Sequence, residues 1–390
     1  MHQYRILSKR GEGTFSEVMR AVNLFTNKQV AIKCMKKKFA SIDQVNKLFE
    51  IQALRKLIGH PHIVQLQEVL FENNRLAIVF ELMDMNVYEA IKDRRSFLPE
   101  GKVTRWMCEL FEAIQFIHQK QIFHRDVKPE NLLIVDDVLK LADLGSCCAL
   151  NAQHPYTEYI STRWYRAPEC LMTSGFYSSK MDIWASGCVL YELVTLTPLF
   201  PGKTEIDQIH RIHAVLGTPS VATLKGYEKL RGHHLDDVSF PQRKGTGIAK
   251  KLAHCSAELV SFLTDLLTYD PVRRPTASQA LRSPFLSKFR KEHPDLKDLK
   301  VINSPASTSA PSSPPILPIL PPLPLVGKEG LSSNASWNTP RMKTKFVSGV
   351  AETSLNSARF RYLSHSFSRT KLINPPLLAS ARNFPVTLNK

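Results

Sequence analysis

Residues 122 to 134 read IFHRDVKPENLLI, two apolar runs enclosing a stretch dense in charge. Apolar runs this short suit buried strands, so HRDVKPEN (124 to 131) must be a loop between them. That loop carries Arg125, Asp126, Lys128 and Asn131. Soon after it, LADLGS (141 to 146) brings a second carboxylate, Asp143, behind another apolar run. Two such motifs at this spacing do not arise by chance. They require a fold that supports two short polar loops on strands.

The rest of the chain supplies suitable surroundings. Residues 1 to about 90 read as short strands with one helix: QVAIKCM (29 to 35) and RLAIVFELM (75 to 83) are strand-like. Between them SIDQVNKLFEIQALRKLIG carries Val45, Leu48, Ile51, Leu54 and Leu57, a helical stripe behind a plausible Ser41 cap. From about 95 to 290 the patterns lengthen, as in VTRWMCELFEAIQFIHQ and ELVSFLTDLLTY. A small strand-rich lobe followed by a larger helical lobe is an α+β arrangement. Within the first lobe GEGTFSEV (11 to 18) has glycines that let backbone N–H groups approach a phosphate, or that simply close a hairpin. Lys33 follows on a strand and Glu50 on the helix, a pairing suited either to phosphate binding or to an ordinary ion pair.

At 390 residues, 43% hydrophobic and 22% charged, the chain has the make-up of folded domains. Its net charge of +17 is uneven. Residues 301 to 390 hold ten Lys or Arg against two acidic residues, and the first 300 hold 42 against 33. Excess positive charge invites a nucleic-acid reading, but no RNP, zinc-finger or homeodomain pattern accompanies it. The seven cysteines have no C-x-x-C spacing, and the adjacent Cys147 and Cys148 are expected as free thiols in a reducing compartment. MHQYRILSKR lacks a signal-peptide core, and no run of 18 apolar residues occurs. A cytoplasmic or nuclear protein without a membrane span is expected. Near residue 300 the composition turns Ser/Pro-rich, then Pro/Leu-rich, which neither a helix nor a central strand accepts. Residues 301 to 390 are expected to be a mostly disordered basic tail with a polyproline-II segment at 314 to 325. Its P-x-x-P spacings suit a stiff spacer or docking in the aromatic groove of an SH3- or WW-type partner.

PYTEYISTRWYRAPE (155 to 169) sets Thr157 and Tyr159 on either side of a glutamate, with Arg163 and Arg166 four and seven residues after the tyrosine. If the hydroxyls become phosphates, arginines so placed can receive them.

Taken in order, these motifs resemble the eukaryotic protein kinases over residues 4 to 286. The resemblance implies a bilobal fold, with an N-lobe of about 4–83, a C-lobe of about 87–286, and ATP and Mg2+ bound between them. Asp126 would accept the substrate hydroxyl proton, Lys128 would neutralise charge on the γ-phosphoryl, and Asn131 and Asp143 would ligate magnesium. Lys33, held by Glu50, would meet the α- and β-phosphates. Arg10, Gly11, Glu12, Gly13, Thr14, Phe15, Ser16, Glu17 and Val18 would cover the nucleotide, with Ala31, Glu81, Met83 and Leu133 completing its site. Departures are visible. Ser16 replaces the third glycine, Arg10 stands where an Ile or Leu is usual, and Leu144 replaces a Phe whose packing slot it can fill. Glu169 with Arg274, and Asp182 beneath the catalytic loop, are implied structural supports.

VKPEN around Lys128 resembles serine/threonine kinases. STRWYRAPE and the insert LFPGKTEIDQIHRIHAVLGTP (199 to 219) resemble the CMGC group of cyclin-dependent and MAP kinases, and the chain is identified as a member of its MAK-like (RCK) family. That family implies proline after the phosphoacceptor, Arg166 near the pocket that reads it, Thr157 and Tyr159 as regulatory phosphosites, a monomer acting on protein substrates, and a link to primary cilium length. In MAP kinases three arginines grip the phosphothreonine. Here Arg125 is one, but Phe49 and Cys148 occupy the other two positions, with Lys47 as the nearby helix cation. The acidic docking patch of MAP kinases is also replaced by the mixed, basic SPFLSKFRKEHPDLKDLK. A pseudokinase scaffold or adaptor acting through its surface and Pro-rich tail is the alternative. The intact set Lys33, Glu50, Asp126, Asn131 and Asp143 argues for an active enzyme.

Overall fold

The computed structural model describes residues 1–157, 162–228, 230 and 240–292. The chain opens with β1 (Tyr4–Glu12), β2 (Ser16–Asn23) and β3 (Gln29–Lys38). With β4 (Leu66–Glu72) and β5 (Arg75–Glu81) these form an antiparallel sheet in the order β1-β2-β3-β5-β4. Strand alternation divides the faces. Val30 and Ile32 of β3 join Ala21, Ala77 and Val79 in a small apolar cluster. Ala31 and Lys33, one residue out of phase, line a cavity on the other side.

Between β3 and β4 lie α1 (Ile42–Asn46) and α2 (Phe49–Lys56). The sequence predicts one helix here; the structure breaks it at Lys47 and Leu48, where Leu48 has an extended ψ of 128°. The reason is periodicity. Apolar residues spaced strictly by three drift about 60° per step around a 3.6-residue helix, so five of them cannot share one face. Breaking the helix lets Val45, Ile51, Leu54 and Leu57 all reach the core. The Ser41 cap is present, its Oγ accepting the Gln44 N–H.

The helical part begins with β6 (Met85–Asn86), α3 (Val87–Ile91) and α4 (Glu100–Gln119), followed by β7 (Ile122–Phe123), β8 (Leu132–Val135), β9 (Val138–Leu141) and β10 (Cys148–Ala149). The helices α5 (Pro168–Met172), α6 (Lys180–Thr195), α7 (Glu205–Leu216), α8 (Val221–Glu228), α9 (Ala257–Leu266), α10 (Ala277–Leu281) and α11 (Pro284–Glu292) complete it. Every residue of α6 from Met181 to Val194 is buried, the pattern of a helix at the centre of a lobe. Helices α4 and α9 pack against it.

The small strands position the chemistry. The loop 124–131 leaves β7 and enters β8, as its apolar flanks predict. The segment 142–147 leaves β9 and enters β10, which pairs with β7 through Cys148 opposite Phe123. That pairing holds the two carboxylate-bearing loops side by side, and a bond of 2.9 Å between His124 Nε2 and the Ala142 carbonyl links them directly. Deeper in the lobe, Arg274 makes a buried bidentate pair with Glu169, at 2.8 and 3.1 Å. All seven cysteines are free thiols. Among the described residues no helix is long and apolar enough to cross a membrane. The expected tail at 301–390, with its 314–325 segment, lies outside the described residues.

Candidate active site

The charged loop is held from below by Asp182 of α6. Its carboxylate accepts the backbone N–H groups of His124 and Arg125 at 2.9 and 2.8 Å, and His118 Nε2–H at 2.8 Å. Burial pushes the Asp182 carboxyl up, but these hydrogen bonds outweigh it and hold the group below the usual carboxylate range. The grip fixes a costly backbone: Arg125 has φ of 69°, in the left-handed region. Above it, Asp126 Oδ2 accepts Lys128 Nζ at 2.8 Å and Asn131 Nδ2 at 3.0 Å. Asp126 Oδ1 is buried with no hydrogen-bond partner among the described residues. A buried acceptor left unpaired costs about 1–3 kcal/mol, so this atom is poised for an incoming donor.

Lys33 Nζ lies 2.8 Å from both Glu50 Oε1 and Asp143 Oδ1, joining β3, α2 and the loop after β9. Burial alone would lower the Lys33 pKa, but the two carboxylates raise it overall, and Lys33 in turn holds Asp143 low against its own burial. Asp143 also has a left-handed φ, of 61°. A Cβ on Gly145 would come within 3.2 Å of Asp143 Oδ1, so a larger residue here would press on that carboxylate by a few tenths of an ångström. Leu144 is buried in the core, as its packing slot demands.

A cavity of about 460 Å³ opens between sheet and helical part. Arg10, Gly11, Glu12, Gly13, Ser16 and Val18 line it from β1, β2 and the turn between them, and Ala31 and Lys33 from β3. Glu81, Met83, Leu133, Asn131 and Asp143 are also in its wall. The structure does not bring Thr14, Phe15 or Glu17 to the cavity, contrary to expectation. Thr14 and Phe15 form the exposed tip of the β1–β2 turn, with Phe15 75% exposed. Glu17 alternates away from Ser16 and Val18 and pairs with Lys9. Glu12 is drawn to Lys36 and Lys9 at the rim. Glu50 acts through Lys33 and does not line the cavity, and Asp126 and Lys128 stand outside its wall. The Glu81 carboxylate is engaged by Lys140 at 2.8 Å and by the Gln65 N–H. Sequence reading missed Phe80, Leu141 and Ala142 in the wall. Phe80 directly precedes Glu81, and Leu141 and Ala142 directly precede Asp143, so adjacency to residues already assigned is the signal that points to them.

Thr157 is exposed, and Tyr159 lies outside the described residues. Arg125 Nε donates to the Ser146 carbonyl at 2.6 Å and Nη1 to the Tyr177 hydroxyl at 3.1 Å; that hydroxyl donates to the Thr157 carbonyl at 2.7 Å. Tyr177 was not foreseen, and no local pattern announces it. Arg163 Nη1 donates to the Lys203 carbonyl at 3.1 Å, while its Nε is buried without a partner among the described residues. Arg166, expected to be open to phosphate, is buried and paired with Glu205 of α7 at 2.9 Å. Beside it the Tyr165 hydroxyl donates to Glu192 at 2.7 Å, and burial pushes Glu192 up to about 7.

The family model for the protein kinase domain matches residues 4–286 of this chain. The human MAPK/MAK/MRK overlapping kinase is 50% identical over 293 residues, covering 75% of this chain and 69% of that protein. Its mouse counterpart is 51% identical over 287 residues, covering 73% and 68%. The mouse serine/threonine-protein kinase MAK is 41% identical over 287 residues, covering 73% of this chain and 46% of its own length.

Proposed function

The chain belongs to the protein kinase family, as a serine/threonine kinase similar to the MAK group, and we propose that it phosphorylates Ser/Thr-Pro sites under control of its Thr-Glu-Tyr segment. The observation that carries the catalytic reading is Asp126 Oδ1, unpartnered among the described residues, beside Lys128 and Asn131. The residues present fit Mg-ATP. A Cβ on Gly11 would meet nothing within 4 Å, and one on Gly13 nothing nearer than 3.6 Å, which leaves room for phosphates against the backbone. Asn131 spends Nδ2 on Asp126, leaving Oδ1 for a cation, and with the Asp143 carboxylate it offers the hard oxygen donors that magnesium takes. When bound, magnesium neutralises charge on the phosphates.

Asp126 Oδ1 receives the hydroxyl proton of the substrate Ser or Thr as its oxygen bonds to the γ-phosphorus. The bond from that phosphorus to the bridging oxygen breaks, and ADP departs. Lys128 stands to neutralise charge on the transferred group, and Lys33, oriented by Glu50, positions the α- and β-phosphates.

Proline specificity rests on Tyr165 and Arg166, fixed by the buried Glu192 and the half-buried Glu205 where related kinases read the residue after the phosphoacceptor. Proline suits a pocket with no acceptor for a backbone N–H. An unbiased peptide library incubated with Mg-ATP should return enrichment of proline at that position; an even distribution would overturn the specificity. Phosphorylation of Thr157 and Tyr159, the latter by autophosphorylation, is the proposed switch, with Arg125 and Arg163 as receivers. The MAK-like resemblance supports a role tied to primary cilium length, in cytoplasm, nucleus or both, and the P-x-x-P spacings of the tail suit either a stiff spacer or an SH3- or WW-type partner.

A further inference from the structure

Arg10 replaces an apolar residue where the nucleotide would lie, and its surroundings show what the replacement does. It is the extra residue of a β-bulge: Lys9 pairs with Met19 and Gly11 with Val18, leaving Arg10 unopposed. Bulges beside active sites re-aim side chains, and this one turns Arg10 into the cavity wall. Its Nη2 then spans to the Asp84 carbonyl at 2.6 Å. Asp84 is tied to the other half of the cleft, since its N–H donates to the Ile134 carbonyl of β8 at 2.9 Å. Its carboxylate also accepts the Asp136 N–H at 3.3 Å. A strand of the sheet is thereby joined to a segment anchored on the helical lobe, at the edge of the cavity. The other N–H groups of Arg10 make no hydrogen bond among the described residues.

We infer that Arg10 is a clasp that retains the nucleotide: its bond to the Asp84 carbonyl holds β1 down over the cavity and slows nucleotide release. The inference rests on the proposal that this cavity binds ATP and ADP. A leucine could cover a base by contact alone, but it has no donor with which to fasten the strand. The bond is charge-assisted yet exposed, so its effect on release should be moderate. Arg10 here is a positioning residue.

The test uses the full-length protein, Mg2+ and a fluorescent ADP analogue whose release is followed by stopped flow. Arg10→Leu should release it about 3- to 10-fold faster than the parent, the loss expected for one partly exposed charge-assisted hydrogen bond. Melting without nucleotide should be nearly unchanged, because Arg10 and its hydrogen bond are exposed to solvent. Arg10→Lys, which keeps a donor able to reach the carbonyl, should recover part of the slow release. Equal or slower release from Arg10→Leu would overturn the clasp while leaving the kinase reading intact. Equal release from the Lys and Leu variants would overturn it too, by showing that the donor is irrelevant. A parent that fails to bind the analogue would overturn the nucleotide reading itself, and the clasp with it.

Discussion

Arg125 retains one of the three arginine positions that grip a phosphothreonine in MAP kinases, and it is already engaged. Its guanidinium holds the Ser146 carbonyl and the Tyr177 hydroxyl, and Tyr177 holds the Thr157 backbone, so the start of the activation segment is tied down without any phosphate. The ring of Tyr156, the residue before Thr157, is buried against Phe123 and Tyr177 and adds an apolar anchor at the same point. A phosphate on Thr157 would thus have little to order and one arginine to meet, with Phe49 and Cys148 at the other two places. Arg163, by contrast, has a buried Nε with no partner among the described residues. Each charge-assisted hydrogen bond contributes about 1.5–3 kcal/mol, roughly 10- to 100-fold in an equilibrium. Tyr159→Phe should accordingly lower activity more than Thr157→Ala, and by at least about tenfold. A side-by-side phosphorylation assay in which Thr157→Ala is the worse variant would reverse the assignment.

Among the elements, α5 and the segment before α10 depend on one buried contact. Arg274 reaches both oxygens of Glu169 and also donates to the Thr268 and Lys180 carbonyls. Removing one partner of a buried ion pair leaves the other uncompensated, at about 3–5 kcal/mol. Arg274→Leu should lower stability by that amount in urea unfolding, and a change below about 1 kcal/mol would contradict the structural role given to the pair. How far such elements could be read from sequence varied for physical reasons. The strands either side of HRDVKPEN were legible because short apolar runs around a charged octet admit no other placement. The single helix expected from Ser41 was not, because residues spaced by three resemble a stripe in sequence but wind around a real helix. Thr14, Phe15 and Glu17 were assigned to the nucleotide site by motif. The alternation of β2 and the tip of its turn carry them elsewhere.

For the molecule as a whole, the catalytic set is assembled from two halves, and neither half holds a site alone. Lys33 and Glu50 come from the sheet side, while Asp126, Asn131 and Asp143 come from loops on β7, β8 and β9. The Lys33–Asp143 pair at 2.8 Å crosses the cleft, and so does the bond from Arg10 to Asp84. The sequence order of loop, strand lysine, helix glutamate and two carboxylate motifs made the division into lobes readable. The partners supplied from distant parts of the chain were less so. Tyr177, Glu205 and the Asp84 carbonyl are brought in by tertiary packing and have no local signature. The account depends most on Asp126 Oδ1 being the atom that takes the substrate proton. The direct measurement is transfer of labelled γ-phosphate from Mg-ATP to a Ser/Thr-Pro peptide by the parent and by Asp126→Asn, with melting and ATP affinity recorded alongside. The parent should transfer phosphate, and the variant should lose about 10²- to 10⁴-fold in turnover, the span expected for a general base, with melting and ATP affinity unchanged. An Asp126→Asn protein that turns over at the parental rate would contradict the account.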